Sequence, residues 1–266
     1  MALEWQTLGG APDSSSPGGG AEIRHVVRSP LGDLTHAVCR AGEVAPTHDL
    51  PELDEAYFVL AGEGQIWRSL HGREAITRMR PGRAVWMPAG TQFQYRANQT
   101  TSLVFLVVVM PPWKSELFHT NDAGPWTVGA DGPAEPTDDS WLTVDVRRGP
   151  DETAPDGSEI RLLGGVERGS LAHCLLHPGA VSSPVRHRTV QELWYVVSGH
   201  GELWRQSPDG TDQVDLLWPG AAVDIPLGVT FQFRATGLDD LELILLTMPP
   251  WPGTDEAVAA GAGRWT

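Results

Sequence analysis

Apolar residues in this chain come in short runs cut by Gly or Pro rather than in long stretches. LTHAVCR (34–40), EAYFVL (55–60), EGQIWRSL (63–70), AVWMP (84–88), TQFQYRA (91–97) and LVFLVVVM (103–110) are rich in β-branched and aromatic residues. A second series, LAHCLLH, ELWYVV, GELWRQ, AVDIP, TFQFRA and LELILLTM, follows from residue 171 to 248. Both series read as β-strands. No helical periodicity separates the runs, so an antiparallel sandwich or barrel is expected. Helix is predicted only for tail pieces such as TDEAVAAGAG (254–263), and GGAPDSSSPGGG (9–20) reads as a flexible loop or arm.

The two series are copies. EAYFVLAGEGQIWR (55–68) and ELWYVVSGHGELWR (192–205) share six of 14 positions at an offset of 137. PGRAVWMPAGTQFQYRA (81–97) and PGAAVDIPLGVTFQFRA (219–235) share ten of 17 at an offset of 138. MPPW recurs at 110–113 and 248–251, Trp5 aligns with Trp141, and His36 with His173. Two structural units follow, 1–135 and 136–266, with GADGPAEPTDDS (129–140) as the linker.

Composition narrows the function. The 34 acidic and 19 basic residues leave a net charge of −15, and Lys114 is the sole lysine. A nucleic-acid binder needs a basic stripe and an anionic membrane surface needs basic docking residues, so neither partner is expected. The start lacks the basic and apolar segments of a signal peptide, and no apolar run is long enough to span a bilayer. Cys39 and Cys174, each in an apolar run, read as reduced core residues of a cytoplasmic protein. Phosphate loops, zinc-spaced cysteine pairs and GxSxG elbows are missing from the sequence.

The repeated segments resemble the cupin superfamily, and their tandem arrangement is similar to a bicupin. Gly42, His48, Glu55 and Gly62 follow the first cupin motif, as do Gly179, His187, Glu192 and Gly199. Gly82, Pro88 and Gly90 follow the second motif, as do Gly220, Pro226 and Gly228. The resemblance covers nearly the whole chain and implies an all-β fold of two tandem double-stranded β-helix, or jelly-roll, barrels. It also implies that His48, Glu55, His187 and Glu192 point into the lumens as metal ligands. The chain departs from the family pattern at the other ligand positions, which hold Leu50, Phe93, Val185 and Phe231.

One His and one Glu per unit fall short of the three protein ligands usual for a catalytic ion. His36 and His173 would complete two-imidazole, one-carboxylate sets if they face inward. Glu55, Glu192, His187 and Asp224 are the catalytic candidates. Asp224 stands where the first unit has Trp86, which favours the second barrel as the active one. Tyr57, Phe93, Trp194 and Phe231 would line pockets suited to an apolar or aromatic molecule. The matched arginines, Arg24 with Arg161, Arg68 with Arg205 and Arg96 with Arg234, read as structural partners of the many carboxylates.

Three functions are carried forward. The first is a bicupin enzyme acting on a small organic molecule with one first-row divalent metal (Fe, Mn, Ni, Cu or Zn) per chain, by oxygenase, oxidative or decarboxylase-type chemistry. The second is a metal-free isomerase, epimerase, cyclase or lyase using a His/Glu pair for proton transfer. The third is a non-catalytic cupin that binds a small molecule. A monomer or a homodimer is expected.

Overall fold

The computed structural model describes residues 5–7, 13–15, 19–117, 119–121, 123–127 and 134–266. Among these residues no α-helix occurs; strands and two short 3-10 turns make up the regular structure. The chain forms two compact units. One holds Pro30–Asp145 with the described residues of 9–25, and the other holds Val146–Thr266 with Trp5–Thr7 and Val26–Ser29.

A seven-stranded sheet built mainly from the first unit has the order Thr143–Asp145, Arg83–Met87, Asp54–Ala61, Leu103–Met110, Asp33–Cys39, Glu22–Arg28, Ser14–Ser15. A five-stranded sheet follows the order His119–Asn121, Thr47–Asp49, Gln92–Ala97, Gly64–Leu70, Arg73–Met79. The register sets Leu106 opposite both His36 and Phe58, and His48 opposite Phe93. Side chains alternate across each strand, so every second residue enters the space enclosed. Leu50, Leu53, Tyr57, Ile66, Phe93, Tyr95 and Phe105 share one buried core there. Each such side chain contributes about 1.5–3 kcal/mol.

The second unit repeats this plan. Its seven-stranded sheet runs Trp5–Thr7, Ala221–Ile225, Gln191–Ser198, Leu241–Met248, Gly169–Leu176, Glu159–Val166, Glu152–Thr153. Its five-stranded sheet runs Asp212–Leu217, Gly201–Gln206, Thr230–Ala235, Val185–His187, Ala257–Ala259. Trp194, Val196, Leu203, Phe231, Phe233 and Leu243 form its core. The two tandem all-β barrels expected from the sequence are thus present. The closing glycines of the first motif have a steric reason: Gly62 and Gly199 take φ of 73° and 78°, and a β-carbon on them would strike the carbonyls of Ser102 and Asp240.

Three local expectations are corrected. The tail 254–263 is not helical. Thr254–Glu256 makes one 3-10 turn and Ala257–Ala259 joins the sheet beside Val185–His187, because the Glu256 carboxylate binds back to Thr189 N, Thr189 Oγ1 and Val190 N. Within 9–20, Ser14–Ser15 is a strand paired with Glu22–Ile23, whereas 9–12 and 16–18 lie outside the described residues. In the expected linker, 129–133 also lie outside them, and 134–140 are tied to the first unit. Thr137 Oγ1 accepts from Ile76 N, and Asp139 accepts from Arg78 N and Arg83 Nη1.

The repeated arginines divide in a way that the sequence missed. Arg205 is fully buried and paired with Asp215 at 2.7 Å and Asp224 at 2.6 Å. Its counterpart Arg68 has no carboxylate at those distances among the described residues. It donates to the carbonyls of Trp86, Trp141 and Leu142 and to Thr77 Oγ1, and burial holds its pKa down at about 9. Likewise Arg234 pairs with Glu202, whereas Arg96 meets the neutral Gln65 and the face of Trp126. The first unit has Trp86 and Gln65 where the second has Asp224 and Glu202, so the counter-charges are simply missing. Cys39 and Cys174 are buried and form no disulfide.

Candidate active site

The first lumen is a cavity of about 340 Å³ lined by His48, Glu55, Tyr57, Tyr95, Phe105 and Trp113, among others. Glu55 and Tyr57 stand two apart on one strand and so share a face. The Tyr57 hydroxyl donates to the Glu55 carboxyl. Burial pushes the Glu55 pKa up to about 8 and that of His48 down to about 3. Near neutral pH this lumen therefore holds an uncharged imidazole and a protonated carboxyl. Phe93 packs edge-on against His48 at 4.9 Å and against Tyr57 at 5.8 Å, in the core behind the cavity wall.

The second lumen is a cavity of about 350 Å³, and Asp156, His187, Glu192, Trp194, Phe231 and Trp251 are among its walls. Glu192 is 4% exposed. Its Oε2 accepts from Trp194 Nε1 at 2.7 Å and its Oε1 from Thr247 Oγ1 at 2.8 Å. Trp194 meets Phe231 and Phe233 edge-on at 5.3 and 5.2 Å. His187 sits between Phe231 and Trp251, at 5.1 and 5.4 Å. Its Nδ1 has no hydrogen-bond partner among the described residues. The wall is thus mainly apolar with a few convergent polar groups, the usual character of a small-molecule site.

Asp156 was not among the sequence candidates. Its carboxylate accepts from Ser158 N at 2.9 Å and Ser158 Oγ at 2.7 Å, in the turn joining Glu152–Thr153 to Glu159–Val166. Burial pushes its carboxyl up, with Glu192 adding to the shift, while the Ser158 bonds and His187 oppose it. At the offset of 137 its counterpart is Gly19, so the mismatch between copies was the available signal. Tyr95, Phe105, Phe233, Trp251 and Thr247 were also missed, because they lie outside the motif positions.

Besides Phe93, which packs behind the first cavity's wall, three candidates lie away from the lumens. Thr35 and Ala37 line the first cavity, so His36 between them faces the other side of its sheet. Burial, aided by Arg24, holds its pKa down at about 4. Ala172 and Cys174 line the second cavity, and His173 between them bonds Glu242 at 2.8 Å. Asp224 alternates with Val223 and Ile225 of the core and is taken up by Arg205. Neither histidine completes a ligand triad, and Asp224 adds no carboxylate to the lumen. His48, Glu55 and Tyr57 line one cavity, and His187, Glu192, Trp194 and Phe231 line the other.

A catalytic ion normally takes three protein donors. Each lumen has one imidazole and one carboxylate from the expected set, and among the described residues no three His, Cys, Asp or Glu side chains gather in a metal-binding group. The residues present do not fit a tightly held resident metal. Among the described residues no helix is long and apolar enough to cross a membrane.

No family model matches the chain. A 92-residue stretch, 35% of the chain, is 35% identical to the xanthan biosynthesis protein XanB of Xanthomonas campestris pv. campestris (strain B100). That stretch spans only 19% of the relative's length. Among solved structures, the chain is similar to oxalate decarboxylase from Bacillus subtilis, with a TM-score of 0.72 at 15% identity, covering 90% of this chain and 74% of that one. A deletion variant of the same enzyme gives 0.68 at 14%, covering 90% and 75%. At such identity the likeness is one of fold.

Proposed function

The chain has the tandem, bicupin form of the cupin fold, and from that premise we propose an enzyme that acts on a small organic molecule in the second lumen by proton transfer. The observation that carries this reading is the pairing of His187 with Glu192 in the wall of one cavity of about 350 Å³ that is otherwise mostly apolar. His187 is the acid–base group. It is buried, its Nδ1 is uncommitted among the described residues, and an imidazole ring can both accept and donate a proton. Glu192, oriented by Trp194 and Thr247, positions the substrate and stabilises the charge that develops when His187 is protonated. The aromatic walls exclude water, which strengthens both effects.

The test is hydrogen exchange. Incubating the full chain in D₂O with a panel of small C–H acids, followed by NMR, is expected to reveal exchange or turnover of one class. His187→Asn and Glu192→Gln abolish it while keeping the melting temperature near that of the parent. Full turnover in both variants contradicts the reading.

A second reading is metal-dependent decarboxylation. The similarity of fold to oxalate decarboxylase favours it, and it is disfavoured because, among the described residues, no three His, Cys, Asp or Glu side chains gather as a metal-binding group.

A further inference from the structure

We propose that the second lumen receives a small organic cation, an ammonium-type group on an apolar body; this rests on the reading of that lumen as the active site. The walls include three carboxylates, Glu152, Asp156 and Glu192, and neither Arg nor Lys. They also include four large aromatic side chains, Trp194, Phe231, Phe233 and Trp251. Aromatic faces beside carboxylates attract cations, and more so where water is excluded. Glu192 retains capacity for a ligand. Each of its oxygens accepts one bond in the protein, and a carboxylate oxygen can accept two. The buried His187 Nδ1 on the same wall is a second polar atom without a protein partner among the described residues.

The surroundings agree. Arg186 and Arg188 flank His187 but are exposed, and they line a second cavity, with Gln206, Ser207 and Thr230, that shares only His187 with this lumen. The net charge of −15 draws cations towards the molecule in general. The first lumen makes an informative contrast. Its wall carries a single carboxyl, Glu55, bonded to Tyr57, and Gly19 replaces Asp156 in the alignment. Two barrels built on one repeat therefore differ in the number of carboxyl groups that they offer a ligand.

The experiment uses three probes of similar shape, 2-phenylethylamine, 2-phenylethanol and phenylacetate, titrated into the full chain at pH 7 by calorimetry. The amine is expected to bind at least about tenfold more tightly than the other two. Asp156→Asn is expected to reduce the amine to the affinity of the alcohol, with the alcohol unchanged, and Glu192→Gln to weaken the amine more than the alcohol. The ranking in the unmodified protein decides the matter even if a variant fails to fold. Equal or tighter binding of the alcohol or the acid overturns the cation assignment alone and leaves proton transfer in this lumen standing. If none of the three binds, the cation assignment falls, and the hydrogen-exchange test alone decides the proton-transfer reading.

Discussion

Trp194 donates its indole N–H to Glu192 Oε2 at 2.7 Å from two residues along the same strand. The first barrel repeats the relationship with Tyr57 and Glu55. In both lumens an aromatic donor thus fixes the motif carboxyl, although the two donors differ chemically. Trp194→Phe keeps the ring stacking but removes the donor, and a hydrogen bond to a buried carboxylate contributes about 1.5–3 kcal/mol. Denaturant unfolding is expected to show a loss of that size. A loss below about 0.5 kcal/mol would mean that the bond does not hold Glu192.

Arg205 is the charge centre of the second barrel's outer core rather than of its lumen. Arg205→Met leaves Asp215 and Asp224 close together without their cation and is expected to cost about 3–5 kcal/mol. Asp224→Asn is expected to lower stability while leaving ligand affinity in the lumen unchanged. A specific loss of binding, with the melting temperature preserved, would restore Asp224 to the site.

The pH dependence of the first barrel follows from Glu55. Its pKa in the folded protein is about 8, above the unfolded value of 4.5, so the folded state is the one that keeps the proton. Stability is therefore lost as pH rises between those values. His36 and His48, lowered to about 4 and 3, act in the opposite sense but only below about 6.5. Between pH 6.5 and 8 the difference between the parent and Glu55→Gln isolates Glu55. The parent is expected to lose stability relative to the variant across that interval, as followed by urea unfolding. A constant difference would show that Glu55 is already ionised at pH 6.5.

The fold was legible because gene duplication wrote every strand run twice, and because Gly62 and Gly199 mark turns that no other residue fits. The motif positions also placed His48, Glu55, His187 and Glu192 on cavity walls. Facing was less legible. His36 and His173 sit on strands where a shift of one residue reverses the side, and no flanking pattern in the sequence fixed that shift. Asp224 could be assigned only once Arg205 was seen beside it. Asp156 escaped notice because it lies in a turn outside the motifs, brought to the lumen by the pairing of Glu152–Thr153 with Glu159–Ile160.

Metal content is the most direct test of chemistry centred on His187 and Glu192. The chain would be loaded in turn with Fe, Mn, Ni, Cu and Zn and desalted. Elemental mass spectrometry would then be run on the parent and on His187→Ala. No ion retained near one per chain, in either protein, is the expected result. About one ion per chain in the parent, lost in His187→Ala, would contradict proton transfer without a metal and move the account to metal-dependent decarboxylation.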